Sequence, residues 1–453
     1  MADQTIFPLE FVPNIEGAQY HPRWVKANPV EAAKWAAYRD AAKAHKKGTP
    51  KPSVPAMATK YGKALVAAGK LHVSVTDIGA DWTLPPSGIR PPLPPSGIWR
   101  TPQTITSGGI YDNAWESTTS TPCITVNTTQ PVTIRGWVRN LSVDTPLIQG
   151  VGAVNVTVED VYGYQSAPYT VSGRFFATEG GAQSVTIQRC YFENSRGIDI
   201  ATSDGVNIII TRNQCRNIQS HDQSPFLVGN FVQLRVMAPT SCVVSWNEII
   251  NEYPGKSEPH DTISIYYTSG VQCVDNFLRG QWRFNNELGS SQGGITIDAT
   301  GSPGSPYNVS NTYIARNQVV DGYGIVTFPT TGGSNILLEN NRIVSDRFLP
   351  DGTAKANGAG SPLTIRPGGT NNHAHGNIVG FIDRDNTYIT ASFILNNNYF
   401  DGVGAPHTAA QEVALNTFMP QASINQAAED AEWTFWQNKL VANGITVGPG
   451  PMS

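Results

Sequence analysis

Six segments of this chain repeat one short pattern, and the pattern constrains the fold more than any other feature. They are Ile198-Asp199-Ile200, Val232-Gln233-Leu234, Ile263-Ser264-Ile265, Ile295-Thr296-Ile297, Val326-Thr327-Phe328 and Leu363-Thr364-Ile365. Each reads as a strand that buries alternate residues, because strand side chains point to opposite faces with period two. A second unit recurs between them, an apolar residue followed by Asn and another apolar residue. Its Asn positions are Asn213, Asn247, Asn276, Asn317 and Asn341, with Cys190 in the place of the first, Asn398 as a further copy and Asn377 as a degenerate one. A chain that alternates two strand types in this way is expected to wind about one axis, one coil per repeat.

Successive positions of the second unit, from Cys190 to Asn398, lie 23, 34, 29, 41, 24, 36 and 21 residues apart. The short intervals suit a bare coil of three strands, and the long ones the same coil carrying a loop insertion. Periods of this size mark solenoids. Helical solenoids are excluded, since Val, Ile, Thr and Asn favour strands and turns. A β-sandwich would need hairpin signals between neighbouring strands, and Asn-Gly and Asp-Gly pairs are few. The regular Asn suggests its own mechanism: it tolerates the left-handed backbone of a tight corner, and stacked Asn side chains can hydrogen-bond along the axis.

These repeats resemble those of right-handed parallel β-helix proteins, the architecture of pectate-lyase-like enzymes and of many bacteriophage tailspikes. The resemblance covers roughly residues 100–400. It implies an all-β solenoid of about ten coils. No set of calcium-binding Asp residues with a catalytic Arg aligns, so no catalytic residue is carried over, and one scaffold serves many activities.

The division expected is a helical attachment or cap region over 1–83, a Pro-rich linker over 84–99, the β-helix over 100–406 and a cap with a helix over 407–453. Asn28-Pro29 reads as a helix start and Gly48 as its end, with a second helix closed by Gly69. The duplicated Leu84-to-Ile89 and Leu93-to-Ile98 motifs carry paired prolines, which favour an extended linker. In the C-terminal region Ser423 and Gln426 read as a capping box, Trp433, Trp436 and Leu440 share a helical face, and Gly444 ends the helix. That helix is expected to cover an open solenoid end or to make an oligomer contact.

Net charge is −4 and no basic run exceeds Lys46-Lys47, so nucleic acid is not an expected partner. No apolar stretch is long enough for a membrane span. The start has no basic and apolar signal-peptide regions, so a mature secreted form or release by another route, such as host lysis, is expected. The five cysteines are odd in number and show no metal-ligand spacing; Cys190, Cys215 and Cys273 read as buried core residues. His373 and His375 stand on one face of a strand, but zinc would need further ligands that the sequence does not reveal. They read as surface histidines, and no metal or cofactor is expected.

Aligning the six strands gives two outward columns. The first is Asp199, Gln233, Ser264, Thr296, Thr327, Thr364, an ordinary solvated face; the second is Ala201, Arg235, Tyr266, Asp298, Pro329, Arg366. Arg, Tyr and Asp together suit sugar recognition, by ring stacking and by hydrogen bonds to hydroxyls or acidic groups. Loop insertions beside this face add Glu258, His260, Asp261 and Trp282. The catalytic candidates are Asp261, Asp298 and Glu258, since glycoside hydrolysis needs two carboxyl groups. The binding candidates are Asp199, Gln233, Arg235, Tyr266, Arg366, His260 and Trp282.

Three functions follow as expectations. The first is a tailspike-like virion component or adhesin that binds a surface polysaccharide and can also cleave it, as a homotrimer anchored through its N-terminal region. The second is a soluble polysaccharide lyase or glycoside hydrolase, with Tyr266, His260 or Arg235 as the base of a lyase. The third is a structural surface solenoid. The location expected is the virion or the extracellular space.

Overall fold

The computed structural model describes residues 99–450, apart from 142–144, 166–172, 203–204, 221–227, 253–258, 282–292, 299–308, 323, 328–332, 356–361, 366–370, 383–391 and 394–408. The expected N-terminal helices and the body of the Pro-rich linker lie outside the described residues. The remainder is predominantly β, in two large sheets of parallel strands. One has eleven strands, running from Gln103–Ile105 to Ser392–Phe393, and the other has nineteen.

Pairing recurs at a constant offset. Ile198–Ala201 pairs with Val232–Arg235, which pairs with Ile263–Tyr266, which pairs with Ile295–Asp298. Between each two of these the chain contributes two strands to the other sheet, such as Asn207–Thr211 and Gln214–Arg216. Parallel pairing of each strand with one a full repeat later is compatible with a β-helix, and gives its apolar residues one continuous core. Ile198, Val232, Ile263 and Ile295 are fully buried there. Phe175, Phe192 and Phe231 stack in nearly parallel planes, with centroids 4.3 and 5.8 Å apart. All five cysteines are unpaired and buried, and burial pushes the thiols of Cys123 and Cys242 up to about 12.

The recurring Asn side chains form a ladder. Asn213 Oδ1 accepts from Cys190 N, and Asn213 Nδ2 donates to Asn247 Oδ1 at 2.9 Å. The same bond links Asn247 to Asn276, Asn276 to Asn317, Asn317 to Asn341 and Asn341 to Asn377. Two details differ from the sequence reading. The left-handed corner is taken by the residue before each Asn, as at Arg212, Trp246, Asp275, Arg316 and Asn340, so the Asn serves as ladder rung and not as the turn residue. Non-glycine residues resist that backbone; here the ladder fixes the next residue, and four corners are joined in two charge pairs, Arg189 with Asp160 and Arg316 with Asp275. The rung after Asn377 is Asn416, beyond the short helix α1 (Ala409–Ala414), while Asn398 lies outside the described residues.

The C-terminal helix α2 (Gln426–Asn443) is capped by Asn425, whose side chain accepts from Ala428 N, and ends at Gly444 in the left-handed conformation. Ser423 instead donates to Pro420 O, so the expected capping box does not form. The predicted apolar face is buried, but against the flank of the nineteen-stranded sheet. Trp436 stacks on Phe277 at 5.8 Å and donates to Glu248 Oε2 at 2.9 Å. Glu432 holds Arg342 and Gln318, and Asp430 holds Arg279. The helix therefore spans successive strand repeats, from Glu248 to Arg342. Thr417–Phe418 meanwhile adds a strand beyond Ile378–Phe381.

Candidate functional site

The outward face of the eleven-stranded sheet brings most of the candidate residues together. Asp199 stands opposite Gln233, Gln233 opposite Ser264, and Ser264 opposite Thr296. In the second column Ala201 stands opposite Arg235 and Tyr266 opposite Asp298. The register then departs from the sequence alignment by one residue: Thr296 faces Val326, so Thr327 is not a member of the first column. The cause is Gly324, whose positive φ and close approach to Pro362 O require glycine. It places Ile325 as the first buried residue of its strand, as Gly197 does for Ile198. A one-residue slip moves every side chain to the other face.

The first column is not solvated throughout. Ser264 and Thr296 are buried. Thr296 Oγ1 donates to Asp261 Oδ1 and accepts from Gly293 N, each at 2.8 Å, so the ends of two loop insertions close over the sheet at this point. Asp261 is thereby fixed on the outward face, with His260 Nδ1 3.6 Å from its Oδ2.

Asp261 and Asp298 form an electrostatically coupled pair. Burial, and then the charge of Asp261, push the Asp298 carboxyl up to about 6. Its Oδ1 is buried and meets no hydrogen-bond partner among the described residues. Two carboxyl groups in environments that separate their proton affinities can divide the roles of proton donor and anion. Beside them, Tyr267 takes a left-handed backbone at φ 60° and folds its ring onto Tyr266, with centroids 3.6 Å apart and the two hydroxyls hydrogen-bonded.

The other end of the face is ionic. Arg235 grips Asp199 through two bonds, Nε to Oδ1 at 3.2 Å and Nη2 to Oδ2 at 2.7 Å. Arg174 reaches the same group, donating to Gln233 Oε1 at 3.2 Å and lying 3.7 Å from Asp199 Oδ2. Sequence reasoning missed Arg174, which precedes its strand at a position that neither repeated pattern covers. Glu258, Trp282 and Arg366 lie outside the described residues, and so does Pro329.

No family model, no curated protein and no solved structure matches the chain.

Proposed function

We propose that this chain is a right-handed parallel β-helix, one coil for each strand of the eleven-stranded sheet, that binds an extracellular polysaccharide on that sheet's outward face. The right hand follows from the general preference of parallel crossover connections. The observation that carries the binding reading is the juxtaposition, on consecutive paired strands, of a half-buried acid pair, an aromatic pair and an Arg–carboxylate pair. Sugars are recognised by such mixtures: ring faces take C–H groups, and fixed carboxylates and guanidinium groups take hydroxyls or acidic substituents.

A tailspike-like or adhesin role, as a homotrimer with the N-terminal region as anchor, is the setting we favour for this surface. Cleavage is the second reading, favoured by one observation, the raised proton affinity of Asp298 beside Asp261. In it Asp298 donates a proton to the leaving oxygen while Asp261 acts as the anion. The test is binding of wild type, Arg235→Ala and Tyr266→Ala to a panel of neutral and uronate polysaccharides, with light scattering for mass. Loss of binding in both variants with unchanged circular dichroism supports the site. Equal binding by all three proteins places the site elsewhere, and a monomer argues against the spike setting.

A further inference from the structure

Outside that face, the strands Ser334–Glu339 and His373–His375 lie side by side in the nineteen-stranded sheet, with Leu337 opposite His373 and Glu339 opposite His375. Leu338 and Ala374 point into the core. Alternation therefore sends Glu339, His373 and His375 outward together. Two donors along one strand and a third across from its neighbour make a triangle, which no spacing within a single repeat reveals.

The donor atoms of these three side chains all lie within 4.8 Å of one another, and among the described residues they are the only such group of three. His375 Nε2 approaches Glu339 Oε1 to 2.8 Å. Yet that nitrogen is buried and makes no hydrogen bond, so the two atoms are near each other without being aligned on each other. Two ligands of one cation have this relation, both directed at a third point. The imidazoles of His373 and His375 are stacked 4.7 Å apart, which keeps their nitrogens on the same side. Tyr313 donates to Glu339 Oε2 at 2.9 Å, leaving Oε1 to face the histidines. An outer hydrogen bond that orients a ligating carboxylate is a regular part of metal sites.

We propose that Glu339, His373 and His375 bind a divalent transition-metal ion of the zinc class. Two imidazoles and one carboxylate match the preferences of zinc, which takes three protein ligands and leaves a fourth position for water. Tetrahedral coordination with bonds near 2.1 Å sets donors about 3.4 Å apart, so small side-chain rotations close the triangle. His373 is nearly buried, and α1 packs against its strand, so the ion joins two strand repeats next to the C-terminal segment.

The experiment is calorimetric titration of zinc chloride into full-length, chelator-treated protein carrying no histidine tag, followed by cobalt absorption spectra. Wild type is expected to bind one equivalent, to give the intense visible bands of tetrahedral cobalt, and to melt at a higher temperature with zinc. His375→Ala and Glu339→Gln are expected to lose all three responses. Glu339→Gln preserves shape and the Tyr313 bond, so it separates loss of a ligand from loss of folding; circular dichroism checks both variants. Absence of binding in folded wild type, or binding that both variants retain, overturns the proposal and leaves a plain histidine–carboxylate contact.

Discussion

Glu429 of the C-terminal helix and Asp321 of the nineteen-stranded sheet's flank are fully buried carboxyl groups that face the same ammonium, with Lys355 Nζ 3.8 Å from Glu429 Oε1 and 3.7 Å from Asp321 Oδ1. Asp321 Oδ1 and Glu429 Oε2 make no hydrogen bond among the described residues. Burial, and then the charge of Asp321, hold the Glu429 carboxyl well above the ordinary value. Burial opposes ionisation of Asp321 too, but Arg279 and Lys355 more than offset it and hold that group below the usual range.

The sign of the pH dependence follows. A carboxyl with a raised folded pKa contributes stability at low pH, and loses it as pH rises from its ordinary 4.5 through the folded value. Asp321 contributes in the opposite sense, and its share is lost as pH falls through its depressed value. The two groups together are therefore expected to favour helix docking most at about pH 4, between their ordinary values of 3.8 and 4.5. Glu429→Gln, which keeps the shape but removes the titrating group, should flatten the alkaline decline in thermal midpoint. Glu429→Ala should destabilise at every pH. A wild-type midpoint that does not fall on the alkaline side would show that Glu429 does not hold its proton in the folded protein.

The Asn ladder should behave as a set of buried bonds that cannot be replaced by water. Asn276 Oδ1 accepts from both nitrogens of Asn247, and its Nδ2 donates to Val244 O. Asn276→Ala orphans all of these groups, each worth about 1–3 kcal/mol when buried. Asn416, the last and only partly buried rung, should cost less. Urea unfolding of the two variants checks the order; equal losses would mean that the ladder is not the source of the stability.

These residues also show what the sequence made legible. The period-two strands and the recurring Asn encode winding and core, since burial and ladder bonds act identically in each repeat. Hydrophobicity alone fits Val326-Thr327-Phe328 as well as Ile325-Val326-Thr327, which sets the expected register at Val326 off by one residue. The deciding signal was Gly324, a backbone requirement and not an apolar one. The cap is Asn425 and not Ser423, two residues earlier, because both residue types suit that role and the capping-box spacing to Gln426 points to the wrong one. Arg174 and the Glu339 contact to His375 arise only when one repeat is laid on the next. Neither pattern includes both partners.

Trp436 and Glu248 test whether the helix is held by packing alone. The indole donates to a carboxylate that is itself bound by Arg216 at 2.6 Å, with all three groups largely removed from water. Trp436→Phe keeps the stack on Phe277 but leaves Glu248 Oε2 without its donor. The loss expected is about 1–3 kcal/mol. It should shrink when Glu248→Gln is combined with it, because the orphaned carboxylate oxygen is then gone. Additive effects in that double-mutant cycle would show that the two residues act independently.

The acid pair gives the sharpest test of the cleavage reading. Asp298, pushed to about 6, is half-protonated at that pH, so an activity in which it donates a proton should decline as pH rises through about 6. Asp298→Asn should remove turnover by about 100- to 10,000-fold, the usual range for a general acid, while polysaccharide binding persists. Asp261→Asn is more discriminating. It keeps the acceptor for Thr296 but deletes the like charge, so the Asp298 titration should move to lower pH even though turnover is lost with the anion. Carbon-13 NMR of the carboxyl groups follows that shift even where no substrate is known. An Asp298 titration unmoved by Asp261→Asn would mean that burial alone sets its proton affinity, and the two residues would no longer count as a pair.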